Sequence, residues 1–245
     1  MLAALLFVSQ TGWPRHVSAQ DVTEQRTIVL LHGLSRRAGS MNRMEQALQE
    51  KGFRTCNISY PSTRHKIEVL AKDHVLPEIE ACVGDRDTTL DFVTHSMGGI
   101  LVRYLAEHQL VNPVGRVVML SPPNQGSEVV DRLGENWLFN LVNGPAGKEL
   151  GTDDSSMPLQ LGPAGFELGV ITGNRTINLF LSMMIDGSDD GKVSVKRAAV
   201  DGMQDMIVLP TAHPFIMKNR RSISQTLYFL ENGVFQRTLS LGASQ

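Results

Sequence analysis

The sequence predicts an α/β protein: a three-layer α/β/α sandwich around a mostly parallel sheet of about six strands, with a small cap inserted. Three observations lead there. Several strand-length segments are continuously apolar, as strands buried on both faces tend to be. Segments of helical periodicity separate them. One long, less regular stretch, residues 122–166, breaks this alternation and is read as the cap or lid. The chain has 245 residues and is 42% hydrophobic. That predicts one domain, residues 20–245, with a sizeable core.

The elements follow in order. Thr27–Leu31 reads as a buried strand running into His32-Gly33. A helix starts near Ser40, with Met41, Met44, Ala47 and Leu48 on one face and Gly52 as its stop. Phe53–Tyr60 is the second strand. Ile67, Leu70, Ala71 and Val75 mark a helix kinked or restarted at Pro77. Leu90–Thr94 is a strand ending at His95-Ser96, and Met97, Ile100, Leu101, Tyr104 and Leu105 continue at helical spacing. Val117–Leu120 is a strand, followed by a helix over Ser127–Val142 inside the cap. Leu168–Thr172 and Met206–Leu209 complete the strands. The last helix carries Ile223, Leu227 and Leu230 and ends at Asn232-Gly233.

The net charge is only −2. With no long basic block, nucleic acid is not an expected partner. Residues 1–19 have the outline of a secretory signal: the apolar run of residues 2–8, then Val17-Ser18-Ala19 before a cleavage point. Export to the periplasm or outside is therefore expected, with the cytoplasm as the alternative. No integral membrane segment is expected in the mature chain. Cys56 and Cys82 can pair in an oxidising compartment or stay as two buried thiols. No His, Cys and Asp spacing suggests a metal site, and no cofactor is expected. Oligomeric state is not readable.

Thr94-His95-Ser96-Met97-Gly98-Gly99 stands where a buried strand turns into an amphipathic helix. A serine hydroxyl needs to be lifted clear of the sheet and given a base before it becomes a nucleophile. A sharp strand-to-helix turn does the lifting, and small residues beside it let backbones pass. The pattern is G-x-S-x-G with Thr94 in the first glycine position, which calls for a slightly more open turn. Two backbone N–H groups would meet the oxyanion: Met97, just after the serine, and Leu34, on the loop turned by Gly33.

Seven histidines compete as base. His32 belongs to the oxyanion loop and reads as structural. His95 lies in the turn and points away from Ser96. His65, His74 and His108 read as surface or packing residues, and His16 lies in the leader. His213 follows the last strand by a short turn, on a loop that can reach the sheet's C-terminal edge, where such sheets hold their sites. The orienting acid falls in the window of Asp186, Asp189 and Asp190. Asp190 is favoured because Gly191 frees the backbone beside it. Asp189 then reads as an exposed loop carboxylate.

These segments resemble the bacterial lipase and esterase branch of the α/β-hydrolase superfamily. The likeness rests on Leu31-His32-Gly33-Leu34, on the Thr94–Gly99 turn, on Ser121-Pro122-Pro123-Asn124-Gln125-Gly126-Ser127, and on Asp189-Asp190-Gly191-Lys192-Val193 with His213. It frames about residues 27 to 232. The resemblance implies a minimal α/β-hydrolase fold lacking two early strands. It implies ester hydrolysis by Ser96, His213 and Asp190 through an acyl-enzyme, and it places the acid just before a glycine. Small-molecule or lipid esters are the expected substrates, with Trp137, Leu138 and Phe139 on the acyl pocket. A thioesterase or amidase would share the triad, and a non-catalytic binding protein could share the fold.

Overall fold

The computed structural model describes residues 26–84, 89–111, 113–134 and 137–237, and not the side chains of 137–142. Six strands form one sheet: β1 (Arg26–Leu31), β2 (Arg54–Ile58), β3 (Thr89–His95), β4 (Val114–Leu120), β5 (Leu168–Gly173) and β6 (Asp205–Leu209). Their order is β2-β1-β3-β4-β5-β6. The sequence suggested a mostly parallel sheet, and all five pairings are parallel.

Alternation along the buried strands splits the core in two. Val29, Leu31, Phe92, Val117 and Met119 face one layer. Ile28, Leu30, Val93, Val118 and Leu120 face the other. On the first face pack α2, a helical run through Ile67–Val69, Leu70–Val75 and Leu76–Val83, and α3 (Met97–Glu107). On the second pack α1 (Asn42–Glu50) and α9 (Arg220–Asn232). Burying each such side chain contributes about 1.5–3 kcal/mol. The helix expected to kink at Pro77 stays continuous. Its Leu70–Val75 turn is a wide π turn, which accommodates a proline that cannot donate to the carbonyl four residues back.

Between β4 and β5 lie α4 (Glu128–Leu133), α5 (Trp137–Lys148) and α6 (Met157–Gln160). The sequence suggested one helix over Ser127–Val142. It is divided between α4 and α5. A further kink follows at Gly144, φ 64°, before Pro145. A Cβ at Gly144 would lie 1.8 Å from the Thr63 carbonyl oxygen, so only glycine permits that crossing. Buried Arg103 on α3 donates to Asn124 O at 2.9 Å, Leu161 O at 2.9 Å and Gly162 O at 3.0 Å. One cation thus ties both ends of this insertion to the sheet's helix layer. Burial lowers its pKa to about 10, so it stays charged at neutral pH. α7 (Leu179–Ser182) and α8 (Val195–Ala198) lie between β5 and β6.

Cys56 and Cys82 are bridged, with Cα atoms 6.1 Å apart. The bond links β2 to the end of α2 and closes a separation of 26 residues. Among the described residues, no helix is long and apolar enough to cross a membrane. The expected signal, residues 1–19, lies outside the described residues. Replacing both cysteines by serine should lower the unfolding free energy by about 3 kcal/mol, the loop-closure value for a crosslink of this span. Urea titrations of the two proteins measure it. An unchanged midpoint would show that the bridge does not constrain the unfolded chain.

Candidate active site

Ser96 sits between β3 and α3 at φ 52°, ψ −123°, outside the regions an L-residue favours. Two contacts hold it there. Its N–H donates to Leu120 O at 2.9 Å. Gly98 lets α3 press on β1, since a Cβ there would stand 2.6 Å from Leu31 O and 3.0 Å from His32 O. Thr94 is accommodated in the first position of the turn, fully buried and paired in register with Leu31 and Met119.

The Ser96 hydroxyl lies 3.1 Å from His213 Nε2. His213 Nδ1 donates to Asp190 Oδ2 at 2.8 Å, which leaves Nε2 as the acceptor for the serine proton. Asp190 Oδ1 accepts from Lys192 N at 3.1 Å and Val193 N at 3.0 Å. His213 N donates to Asp190 O at 2.9 Å. Burial would raise the pKa of Asp190. The His213 ring beside it and the hydrogen bonds it accepts outweigh this and hold the carboxyl below its usual range. Ser96, His213 and Asp190 are all buried.

Gly33 brings the β1 loop against this group, because a Cβ on it would lie 3.1 Å from the Ser96 Cβ. The next N–H along that loop is Leu34, and Met97 opens α3. Neither N–H has a backbone partner among the described residues. His32 anchors the loop. Its ring stacks on Tyr60 with centroids 4.0 Å apart, its Nδ1 donates to Gly33 O at 2.8 Å, and the Tyr60 hydroxyl donates to His32 O. His32 is thus structural, as its place in the sequence suggests. His65 stacks on His74, and His108 stacks on Tyr104.

A cavity of about 350 Å³ opens beside Ser96, within the size range of small-molecule sites. Val129, Val130 and Leu133 of α4 give it an apolar wall, and Leu150, Ile177 and Leu181 add to its apolar lining.

No protein-family model and no curated protein sequence matches the chain. Solved structures do. The mature lipase BlEst2 of Bacillus licheniformis superposes with a TM-score of 0.64 at 21% identity, covering 84% of this chain and 92% of that one. Phospholipase PlaB of Legionella pneumophila gives 0.65 at 17%, covering 84% and 58%. A monoacylglycerol lipase of Paleococcus ferrophilus gives 0.58 at 16%, covering 86% and 95%. The chain has the α/β-hydrolase fold. At these identities the likeness is one of fold.

Within this α/β-hydrolase fold, one expectation is corrected. Asp189 is not an exposed loop acid. It is buried, and it accepts from Ser182 Oγ at 2.6 Å and from Gly191 N at 2.6 Å. The tight turn, with Gly191 at φ 97°, sends adjacent carboxylates opposite ways and buries both. Asp186 stays exposed. Trp137, Leu138 and Phe139 begin α5, but their side chains lie outside the described residues.

Three features were not anticipated. Buried His95 donates from Nε2 to His213 O at 3.1 Å and so positions the loop that carries His213. Burial first, then the neighbouring His213 and Arg36 charges, hold it neutral. Segment 123–128 is stitched to 192–199 by bonds such as Ser127 Oγ to Lys192 O at 2.7 Å and Asn124 Nδ2 to Ala198 O at 2.9 Å. Finally, Ile177, which lines the cavity, and Leu179, Phe180 and Met183 just after it in the chain leave large apolar surfaces in water. The run from Ile177 to Met184 is apolar enough to signal this in the sequence.

Asp190→Asn should slow labelling of Ser96 by a fluorophosphonate by roughly 10⁴, the scale of the same change in a serine-protease triad. Asp189→Asn should leave labelling within a few-fold, because an amide can still accept from Gly191. It should lower stability by about 1 kcal/mol. Labelling rates and melting curves of both variants check this, and the reverse pattern would reassign the acid.

Proposed function

We propose that the protein is a serine hydrolase acting on carboxylic esters with an apolar acyl chain. The observation that carries this reading is the hydrogen-bonded line Ser96 Oγ–His213–Asp190 Oδ2, with spans of 3.1 and 2.8 Å, at the mouth of an apolar cavity. The fold shared with lipases, a phospholipase and a carboxyl esterase supports it.

The chemistry follows from the geometry. Ser96 Oγ attacks the ester carbonyl while its proton passes to His213 Nε2. The carbonyl oxygen takes the negative charge and meets the N–H groups of Leu34 and Met97. His213 then gives its proton to the departing alcohol, leaving the acyl group on Ser96. A water repeats the cycle: His213 takes its proton, the acid leaves, and Ser96 is restored. Asp190 keeps the Nδ1–H tautomer and stabilises the imidazolium in both halves. The insertion between β4 and β5 serves as the cap, its α4 face supplying the acyl wall.

The protein should hydrolyse p-nitrophenyl esters, and kcat/KM should rise from acetyl to hexanoyl as each buried methylene contributes up to about 0.8 kcal/mol. Ser96→Ala should fall to background, and adding His213→Ala should cost little more, because the pair acts as a unit. Turnover by Ser96→Ala at the normal rate would overturn the mechanism, and silence on every ester would overturn the activity.

We propose further that the chain works in an oxidising compartment after cleavage behind Ala19. The Cys56–Cys82 bond supports this, because such bonds persist outside the reducing cytosol. The intact mass of the protein from its native cell should lack residues 1–19 and two thiol hydrogens. A mass retaining either would reject the corresponding part.

A further inference from the structure

The cavity beside Ser96 is not electrically neutral. Arg36 and Lys192 both line it, and the only acid in that lining among the described residues is Asp190, already bonded to His213. Neither cation forms an ion pair among the described residues. They are close enough to act on each other. Desolvation first, and then the Arg36 charge, lower the pKa of Lys192, and Asp190 opposes them. Two cations and one carboxylate, itself engaged by His213, leave the lining with a net positive charge that favours an anion.

Arg36 also belongs to a second, open groove on its other side, which holds Arg37 and Arg64 with no acidic residue in the lining. Small hydroxyl residues such as Ser40, Ser59 and Thr63 make up much of the rest. The chain as a whole carries −2, so this positive charge is local. The groove and the cavity therefore meet at one arginine. One side is apolar, the other cationic and rich in donors, and Ser96 stands in the apolar half. Arginine's planar fork suits phosphate oxygens better than a single negative point.

We propose that cavity and groove together take one amphipathic ester. Its acyl chain lies on the α4 wall, its scissile carbonyl at Ser96, and a phosphate on its alcohol part among Arg36, Arg37, Arg64 and Lys192. This rests on the reading of the site as an ester hydrolase. Phosphate on a lipid head and free phosphate share the chemistry of recognition, so the test must separate them.

The probes are 1-octanoylglycerol and 1-octanoylglycerol 3-phosphate, both kept below micelle-forming concentration. The wild type should favour the phosphate-bearing ester in kcat/KM by at least about tenfold, the effect of one or two charge-assisted contacts. In Arg36→Gln/Arg64→Gln/Lys192→Gln that ratio should fall toward one. The ratio is the readout because Lys192 neighbours Asp190, and a general disturbance of the site would lower both rates together. Glycerol 3-phosphate should inhibit more strongly than inorganic phosphate. Equal rates on the two esters, or a preference that survives the triple variant, would overturn the proposal. Inorganic phosphate inhibiting as well as glycerol 3-phosphate would show a site for the free anion and would also overturn it. If neither ester is turned over, the hydrolase reading fails on its own. Calorimetry of the two lipids on Ser96→Ala then decides the anion claim: tighter binding of the phosphate-bearing one sustains it, and equal binding ends it.

Discussion

Ser96 occupies φ 52° and ψ −123°, a conformation that costs a non-glycine residue about 1–3 kcal/mol. The sheet supplies what holds it. β3 lies between β1 and β4, so the turn after β3 is flanked by the ends of both. From β4 comes Leu120 O, which accepts the Ser96 N–H. From β1 come the carbonyls of Leu31 and His32, against which Gly98 packs without a side chain. The same contact brings Gly33 and Leu34 beside the serine. Strand order, the placement of the Ser96 hydroxyl beside the cavity and the neighbouring N–H groups are thus one constraint seen three ways.

Asp190 and His213 arrive from farther along the chain and need separate anchoring. Asp190 sits on a loop whose turn is closed by Asp189 from within and by Ser127 from outside. Ser127 opens α4, so the segment that walls the cavity also braces the loop that carries the acid. Arg103 fastens the insertion's two ends by three carbonyl bonds. Buried polar groups cost free energy unless they are paired. Here the pairing joins segments that sheet packing alone would leave independent, so the cavity wall, Asp190 and His213 are positioned together.

Much of this was legible from residue patterns. The six strands and the main helices follow from apolar runs and helical spacing, and Ser96 and His213 follow from their places at strand ends. Asp190 was separable from Asp189 through Gly191, which does take positive φ. What failed was burial of the second acid: adjacent residues on an extended segment face opposite sides, but sequence does not say that both sides are covered. The role of His95 was also hidden. Its side chain, expected only to point away from Ser96, reaches the backbone of a residue 118 positions on. Arg36 and Lys192 lie far apart in the chain, so their meeting at one cavity is a property of the fold.

Burial divides the histidines by function. His32 and His95 each spend a ring N–H on a carbonyl and are held neutral by desolvation. Among the described histidines, His213 alone has a carboxylate on one nitrogen and a serine on the other. Asp190 would resist ionisation in so buried a place, yet His213 first, then the Ser121 hydroxyl and the Val193 N–H, bring its pKa below the ordinary value. A depressed pKa in the folded state contributes stability above the unfolded carboxyl's value of about 3.9, and this is lost as pH falls through the lower folded value. Acid therefore removes from Asp190 both the charge that orients His213 and the free energy that the charge contributes to the fold. The two losses share one window because they are the same proton.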